Sequence, residues 1–119
     1  MLPQELEVWY IIPAIRKEFA KTFVEKYHFG YEKTGKILGV SKAAVSQYIK
    51  NKRANKITLP DKIKQDVVKA AKRIIKDEKK VVLEIEKLLK TIREKKCCCE
   101  LCKKYNKDIL EYCKCKPAC

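Results

Sequence analysis

YEKTGKILGVSKAAVSQYIKN, residues Tyr31–Asn51, is the stretch on which the fold turns. Ile37 and Leu38 close one short apolar helical pattern, Gly39 follows, and Ser41 opens a second pattern. A tight turn between two helices commonly needs a residue at positive φ, which glycine reaches without steric cost. A serine just before a helix accepts a backbone N–H bond from the first turn and so fixes where the helix begins. In the second helix Val45, Tyr48 and Ile49 recur at three- and four-residue spacing and form an inward stripe. The opposite face carries Lys42, Ala43, Ser46, Gln47 and Lys50, which are short, hydrogen-bonding or cationic. Lys52 and Arg53 continue the basic character past its end. A helix entering the DNA major groove needs such a face, because base edges there offer donors and acceptors and the flanking phosphates attract cations. The spacing therefore predicts a helix-turn-helix pair with a reading helix over Lys42–Lys50. Its candidate DNA contacts are Ser41, Lys42, Ala43, Ser46, Gln47, Lys50, Lys52 and Arg53.

Upstream, Val8–Ile12 is apolar and stops at Pro13. Proline fits the first turn of a helix, so Pro13 is expected to open a helix over Ala14–Tyr27. That helix puts Ile15, Phe19, Phe23 and Val24 on one face, a stripe for packing beneath the pair. The run Leu6–Ile12 is too short for periodicity to separate helix from strand, and a short helix packed on the domain or on a partner subunit is preferred. Downstream, KRANKITLP leads to Pro60, and Asp61 starts a helical pattern without glycine or proline that reaches about Lys96. Val67, Ala71, Ile74, Val81, Ile85, Leu88 and Ile92 alternate by four and three, broken where Glu78 stands in an apolar position. Such spacing marks a coiled-coil seam or an antiparallel helix pair. Ile63, Val67, Ala71 and Ile74 are expected to complete the domain, and DEKK at 77–80 to form a hinge or exposed turn. Val81–Ile92 is expected to associate with another subunit.

The segments VWYIIPAIRKEFAKTFVEKY (8–27) and KILGVSKAAVSQYIKNKR (36–53) resemble the lambda-repressor/Cro-like class of regulators. The resemblance covers residues 14–76, and the whole chain looks like an archaeal-type transcriptional regulator of that class. The family's alanine or glycine in the first helix of the pair falls on Gly35, its turn glycine on Gly39 and its buried aliphatic on Val45. Its AAVSQY stretch runs from Ala43 to Tyr48. Two positions depart from the pattern. Gly30 stands where a polar cap is usual, and Tyr31 replaces a glutamine that often touches a phosphate, so that contact is not carried over. The resemblance implies an all-α fold, with a helix-turn-helix domain over 1–76. A long helix or helix pair with a dimerisation role follows at 77–96, and a small cysteine-rich tail at 97–119. It also implies a sequence-specific transcriptional regulator of double-stranded DNA, acting as a homodimer because regulators of this type usually read two half-sites.

Charge supports the same partner. The formal net charge is +14, and it is unevenly placed. Residues 1–30 balance four basic side chains with four acidic ones, whereas residues 31–60 carry seven basic against one acidic. Residues 61–96 carry thirteen against seven. Such a field attracts a polyanion and releases its counterions, which makes affinity salt-sensitive. Charge alone fits RNA, an anionic membrane surface or DNA; its coincidence with the helix pair selects DNA. With no run of eighteen apolar residues and no secretory signal pattern, a cytoplasmic protein without a membrane partner is expected. With 119 residues there is room for one small domain plus an appendage. There is no glycine-rich phosphate loop, and the single histidine, His28, has no nucleophile beside it and reads as a loop or helix-end residue. Neither an enzyme nor a small-molecule substrate is expected. Trp9 and Tyr10 read as core or interface aromatics.

All seven cysteines fall within residues 97–119, as CCCELC and, after ten residues, CKCKPAC. A secreted disulfide scaffold spreads its cysteines across the fold, whereas clustering at one end points to metal ligation. Cys99-x-x-Cys102 brings two thiolates to one centre, and Cys113-x-Cys115 or Cys115-x-x-x-Cys119 supplies the others once the intervening segment folds back. Cys99, Cys102, Cys113, Cys115 and Cys119 are the candidate ligands; Cys97 and Cys98 are the best candidates for non-ligands. Four thiolates suit tetrahedral zinc or an iron–sulfur cluster. A 4Fe–4S cluster is preferred, because there are more cysteines than a zinc knuckle needs and a pure thiolate set suits redox or iron sensing. Zinc is the alternative, and a metal-free disulfide switch the third. The competing function is a DNA-binding architectural or scaffolding protein that uses a structural zinc knuckle for partner recruitment. An RNA-binding knuckle protein is weakest, since no aromatic stacking platform accompanies the cysteines. Cys99→Ser or Cys102→Ser is expected to remove the metal and Cys97→Ser to leave it, as read by iron, sulfide and zinc analysis of anaerobically purified protein. Iron and sulfide with a broad absorption band near the blue mark a cluster, zinc alone marks a knuckle, and no metal in the unsubstituted protein defeats the ligation scheme.

Overall fold

A computed structural model describes residues 7–54 and 59–94. Among these residues the chain is all-helical, with no strand. Helix α1 is Ile12–Lys21, extended by π-helical turns at Glu7–Ile11 and Thr22–Lys26. It is followed by α2 (Tyr31–Leu38), α3 (Lys42–Ile49), α4 (Asp61–Lys76) and, after a 3₁₀ turn at Glu78–Lys80, α5 (Val81–Glu94).

Pro13 lies in the first turn of α1, as expected; the α-helix starts at Ile12, just ahead of the expected Ala14, and a π-helical turn leads into it. Proline has no N–H to donate, and in an α-helix its ring collides with the carbonyl four residues back, here that of Trp9. A first-turn position avoids both costs within the α-helix, and the π-helical turn ahead of it carries the helical path back to Glu7. The expected face is buried: Ile15, Phe19 and Phe23 are fully covered, joined by Ala20, while Val24 is half-buried. Phe19 stacks on Phe23 with ring centroids 6.0 Å apart, and Phe23 stacks on Phe29 at 5.8 Å. Burying each such ring is worth about 1.5–3 kcal/mol. α1 packs against each of the other four helices, so its buried face is the common floor of the fold. Trp9, expected in a core or interface, is 59% exposed on the chain itself.

α4 buries Ile63, Val67, Ala70, Ala71 and Ile74, the helical stripe expected from spacing. Asp77 breaks that helix with extended backbone, and its side chain accepts the Lys79 N–H at 3.2 Å. The DEKK segment is thus an exposed turn. Beyond it α5 folds back antiparallel on α4: Arg73 pairs with Glu84, while Asp66 and Lys69 line one depression with Lys87 and Thr91. Leu88, Leu89 and Ile92 enter the same core as α1 and α4. The stripe assigned to a partner subunit is therefore used inside the chain, in the antiparallel pair that the same spacing allows. Val82 and Leu83 remain exposed.

One charged group is taken into this hairpin. The Glu84 side chain is 2% exposed, and Arg73, itself half-exposed, grips it with two hydrogen bonds. Nε donates to Oε1 at 3.0 Å and Nη2 to Oε2 at 2.7 Å. Those bonds hold the Glu84 carboxyl below its ordinary value of 4.5 against the opposite pull of burial, with the Arg73, Lys87 and Lys80 charges adding to the lowering. A carboxyl depressed in the folded state contributes stability at pH above its ordinary value and loses it as pH falls through the depressed one. Arg73→Ala leaves a buried carboxylate without its main partner and is expected to cost about 3 kcal/mol in denaturant unfolding at neutral pH. The unsubstituted protein should lose stability on acidification below pH 4.5, and Glu84→Gln should flatten that acid limb.

Candidate nucleic-acid interface

The local chemistry of Gly35–Asn51 fixes how α3 is presented. Gly39 adopts φ 73°, and its N–H bonds to the Gly35 carbonyl to end α2. A second bond to that carbonyl, from the Val40 N–H at 2.9 Å, tightens the turn. The turn backbone then lies so close to α2 that a Cβ on Gly35 would sit 2.6 Å from the Val40 carbonyl oxygen. Ser41 caps α3 as expected, its Oγ accepting the Ala44 N–H at 3.0 Å. At the far end Asn51 takes a left-handed conformation with φ 58°. The Lys52 N–H bonds to the Gln47 carbonyl at 2.8 Å and the Asn51 N–H to the Tyr48 carbonyl at 3.1 Å. That is the double bond pattern of a Schellman stop. The Lys17 ammonium on α1 donates to the Asn51 side-chain carbonyl, which ties the end of α3 to the central helix. Burial lowers the Lys17 pKa, as do the neighbouring Lys21 and, to a smaller extent, Lys64, while Glu18 works the other way.

With both ends fixed, the two faces of α3 separate cleanly. Ala44, Val45 and Tyr48 are buried and Ile49 half-buried. Ser41, Lys42, Ala43, Gln47, Lys50, Lys52 and Arg53 are exposed and Ser46 is half-buried, so all eight candidate contacts lie on or beside the open face. Among the described residues no carboxylate pairs with Lys42, Lys50 or Lys52. Lysines of α2 are engaged differently: Lys36 lies 3.7 Å from Glu32, and the Lys33 ammonium sits 4.1 Å from the Phe29 ring centroid. Cations left unpaired beside a short polar surface can accept phosphate oxygens, and Gln47 offers both a donor and an acceptor to a base edge. Ser41 spends one oxygen lone pair on the cap and keeps its hydroxyl proton to donate.

Spacing did not point to the Lys17–Asn51 tie, because it joins residues thirty-four apart in sequence. An asparagine ending an apolar stripe is, however, a legible signal for a left-handed helix stop. Cys99, Cys102, Cys113, Cys115 and Cys119 lie outside the described residues. No protein-family model, curated protein or solved structure matches this chain at a significant level. Among the described residues no helix is long and apolar enough to cross a membrane.

The close approach at Gly35 carries a direct test. Gly35→Val forces a branched side chain against backbone that cannot swing aside and is expected to lower stability by about 3 kcal/mol in denaturant unfolding. Gly35→Ala should cost less, because alanine returns about 1 kcal/mol of helix propensity.

Proposed function

We propose that this chain is a sequence-specific DNA-binding transcriptional regulator of the lambda-repressor/Cro-like kind, a binding protein and not an enzyme. The observation that carries this reading is the open face of α3, which joins Lys42 and Lys50, unpaired among the described residues, to Ala43, Ser46 and Gln47 on a helix anchored at both ends. In the major groove Gln47 bonds an adenine edge, Lys42 or Lys50 reaches guanine or phosphate, and Lys52 and Arg53 hold the backbone. The small side chain of Ala43 lets the helix approach the base edges closely. A homodimer then reads two half-sites about 34 Å apart.

The cysteine segment supplies the regulatory half of the proposal. Cys99, Cys102, Cys113, Cys115 and Cys119 offer a thiolate set that fits a 4Fe–4S cluster, with zinc as the alternative. Such a centre would add a redox- or iron-dependent change of charge and order to residues 97–119. Through it, dimer geometry and hence operator affinity would respond to metal or cluster occupancy.

Selection from a randomised duplex pool provides the test. A regulator is expected to prefer its selected site over random duplex by at least about a thousandfold, whereas an architectural protein would bind both alike through its +14 charge. On the selected site Gln47→Ala should cost roughly 1–3 kcal/mol and relax preference at one base position. Lys50→Ala should weaken binding more evenly across sequences and flatten its salt dependence if Lys50 contacts phosphate. Unchanged affinity after joint replacement of Gln47 and Lys42 would defeat the assignment.

A further inference from the structure

A groove of about 350 Å³ lies between the start of the first helix and the end of α3. Trp9, Tyr10 and Arg16 line it from one side, and Tyr48, Lys52 and Arg53 from the other. Three aromatic rings and three cations converge there, and no carboxylate is among the described residues that line it. Trp9 is 59% exposed, a large planar surface left open in a chain that fully buries Phe19 and Phe23. The Arg16 Nε is buried with no hydrogen-bond partner among the described residues. That nitrogen is closed to solvent and so to a ligand; the other guanidinium N–H groups of Arg16 are the donors that an anionic oxygen in the groove would meet. Arg53 lies 6.0 Å from the Tyr48 ring centroid, within range for the ring to hold its guanidinium at the groove wall.

Cations with no carboxylate beside them among the described residues attract phosphate, and a guanidinium presents a planar fork that matches phosphate geometry. An exposed indole offers a π-face on which any nucleobase stacks. The volume lies near the lower end of small-molecule sites, which suits one nucleotide better than a larger ligand. We propose that this groove binds a nucleoside monophosphate unit, with its phosphate on Arg16, Lys52 and Arg53 and its base stacked on Trp9. A free mononucleotide and an unpaired nucleotide within a strand present the same chemistry. The site itself does not depend on duplex reading by α3. One consequence does rest on that reading: Lys52 and Arg53 are shared with the proposed duplex contact, so an occupied groove competes with DNA.

Trp9 is the only tryptophan of the chain, so its fluorescence reports on the groove directly. The full chain would be titrated with adenosine and cytidine monophosphate, adenosine, inorganic phosphate and a single-stranded oligonucleotide. Saturable change with the mononucleotides identifies a free nucleotide as ligand; change with the oligonucleotide alone identifies a strand. Adenosine and inorganic phosphate should each bind at least about tenfold more weakly than the monophosphate. By calorimetry Trp9→Ala and Arg53→Ala should each weaken nucleotide binding by about tenfold or more, with circular dichroism establishing that both variants fold. No saturable response to any nucleotide up to millimolar concentration would overturn the site. So would equal affinity for phosphate and nucleotide, or binding unchanged in both variants. Duplex affinity, measured separately by anisotropy, keeps the two claims apart. Nucleotide binding without duplex binding sustains the groove and removes only the competition, whereas duplex binding with a silent groove overturns the groove alone.

Discussion

The buried face of α1 is the constraint on which the remaining packing depends. α2 and α3 have eight residues each, too few to hold helical structure in isolation. They persist because Ile37, Leu38, Val45 and Tyr48 share one core with Ile15, Phe19 and Phe23. The α4–α5 hairpin joins the same core through Ile63, Val67, Ile74, Leu88 and Ile92. A chain of this size has little apolar surface to spare, so one helix that contacts all the others is an economical solution. Loss of the phenylalanine spine would therefore loosen both helix pairs together.

On that floor, the presentation of α3 is set by small local devices. Gly35 admits the Val40 carbonyl, Gly39 turns the chain, Ser41 starts the helix and Asn51 ends it. Lys17 adds a bond from the central helix to the helix stop. Apart from the Ser41 oxygen, which the cap uses, these contacts leave the outer side chains of α3 unengaged. The result is a helix fixed at both ends whose exposed lysines carry no ion pair among the described residues, an arrangement that suits direct reading of base edges.

The Tyr31–Asn51 pair is legible in sequence because glycine, serine and an apolar stripe each constrain the backbone locally and agree with one another. Pro13 is legible as a first-turn residue, whereas the π-helical turn that leads into it from Glu7 leaves no mark in local preferences. The fate of Val81–Ile92 is ambiguous for a different reason. A three–four apolar spacing is the same whether the helix pairs within its chain or across a dimer, and only the Asp77 break and the Arg73–Glu84 grip decide for the former. That ion pair joins residues eleven apart across a turn, outside any helical neighbour rule. The Trp9 groove is also invisible in one dimension, since it forms where the first helix meets the residues after α3. The cysteine ligand set rests on spacing alone.

Amide-by-amide nuclear magnetic resonance mapping of the full chain against a selected duplex tests most directly the claim that the open face of α3 reads DNA. The largest shift changes are expected at Ala43, Ser46, Gln47 and Lys50, with smaller ones at Lys52 and Arg53 and little change along α4 and α5. Changes spread evenly over the lysines of α4 and α5, with Ser46 and Gln47 unmoved, would contradict the account.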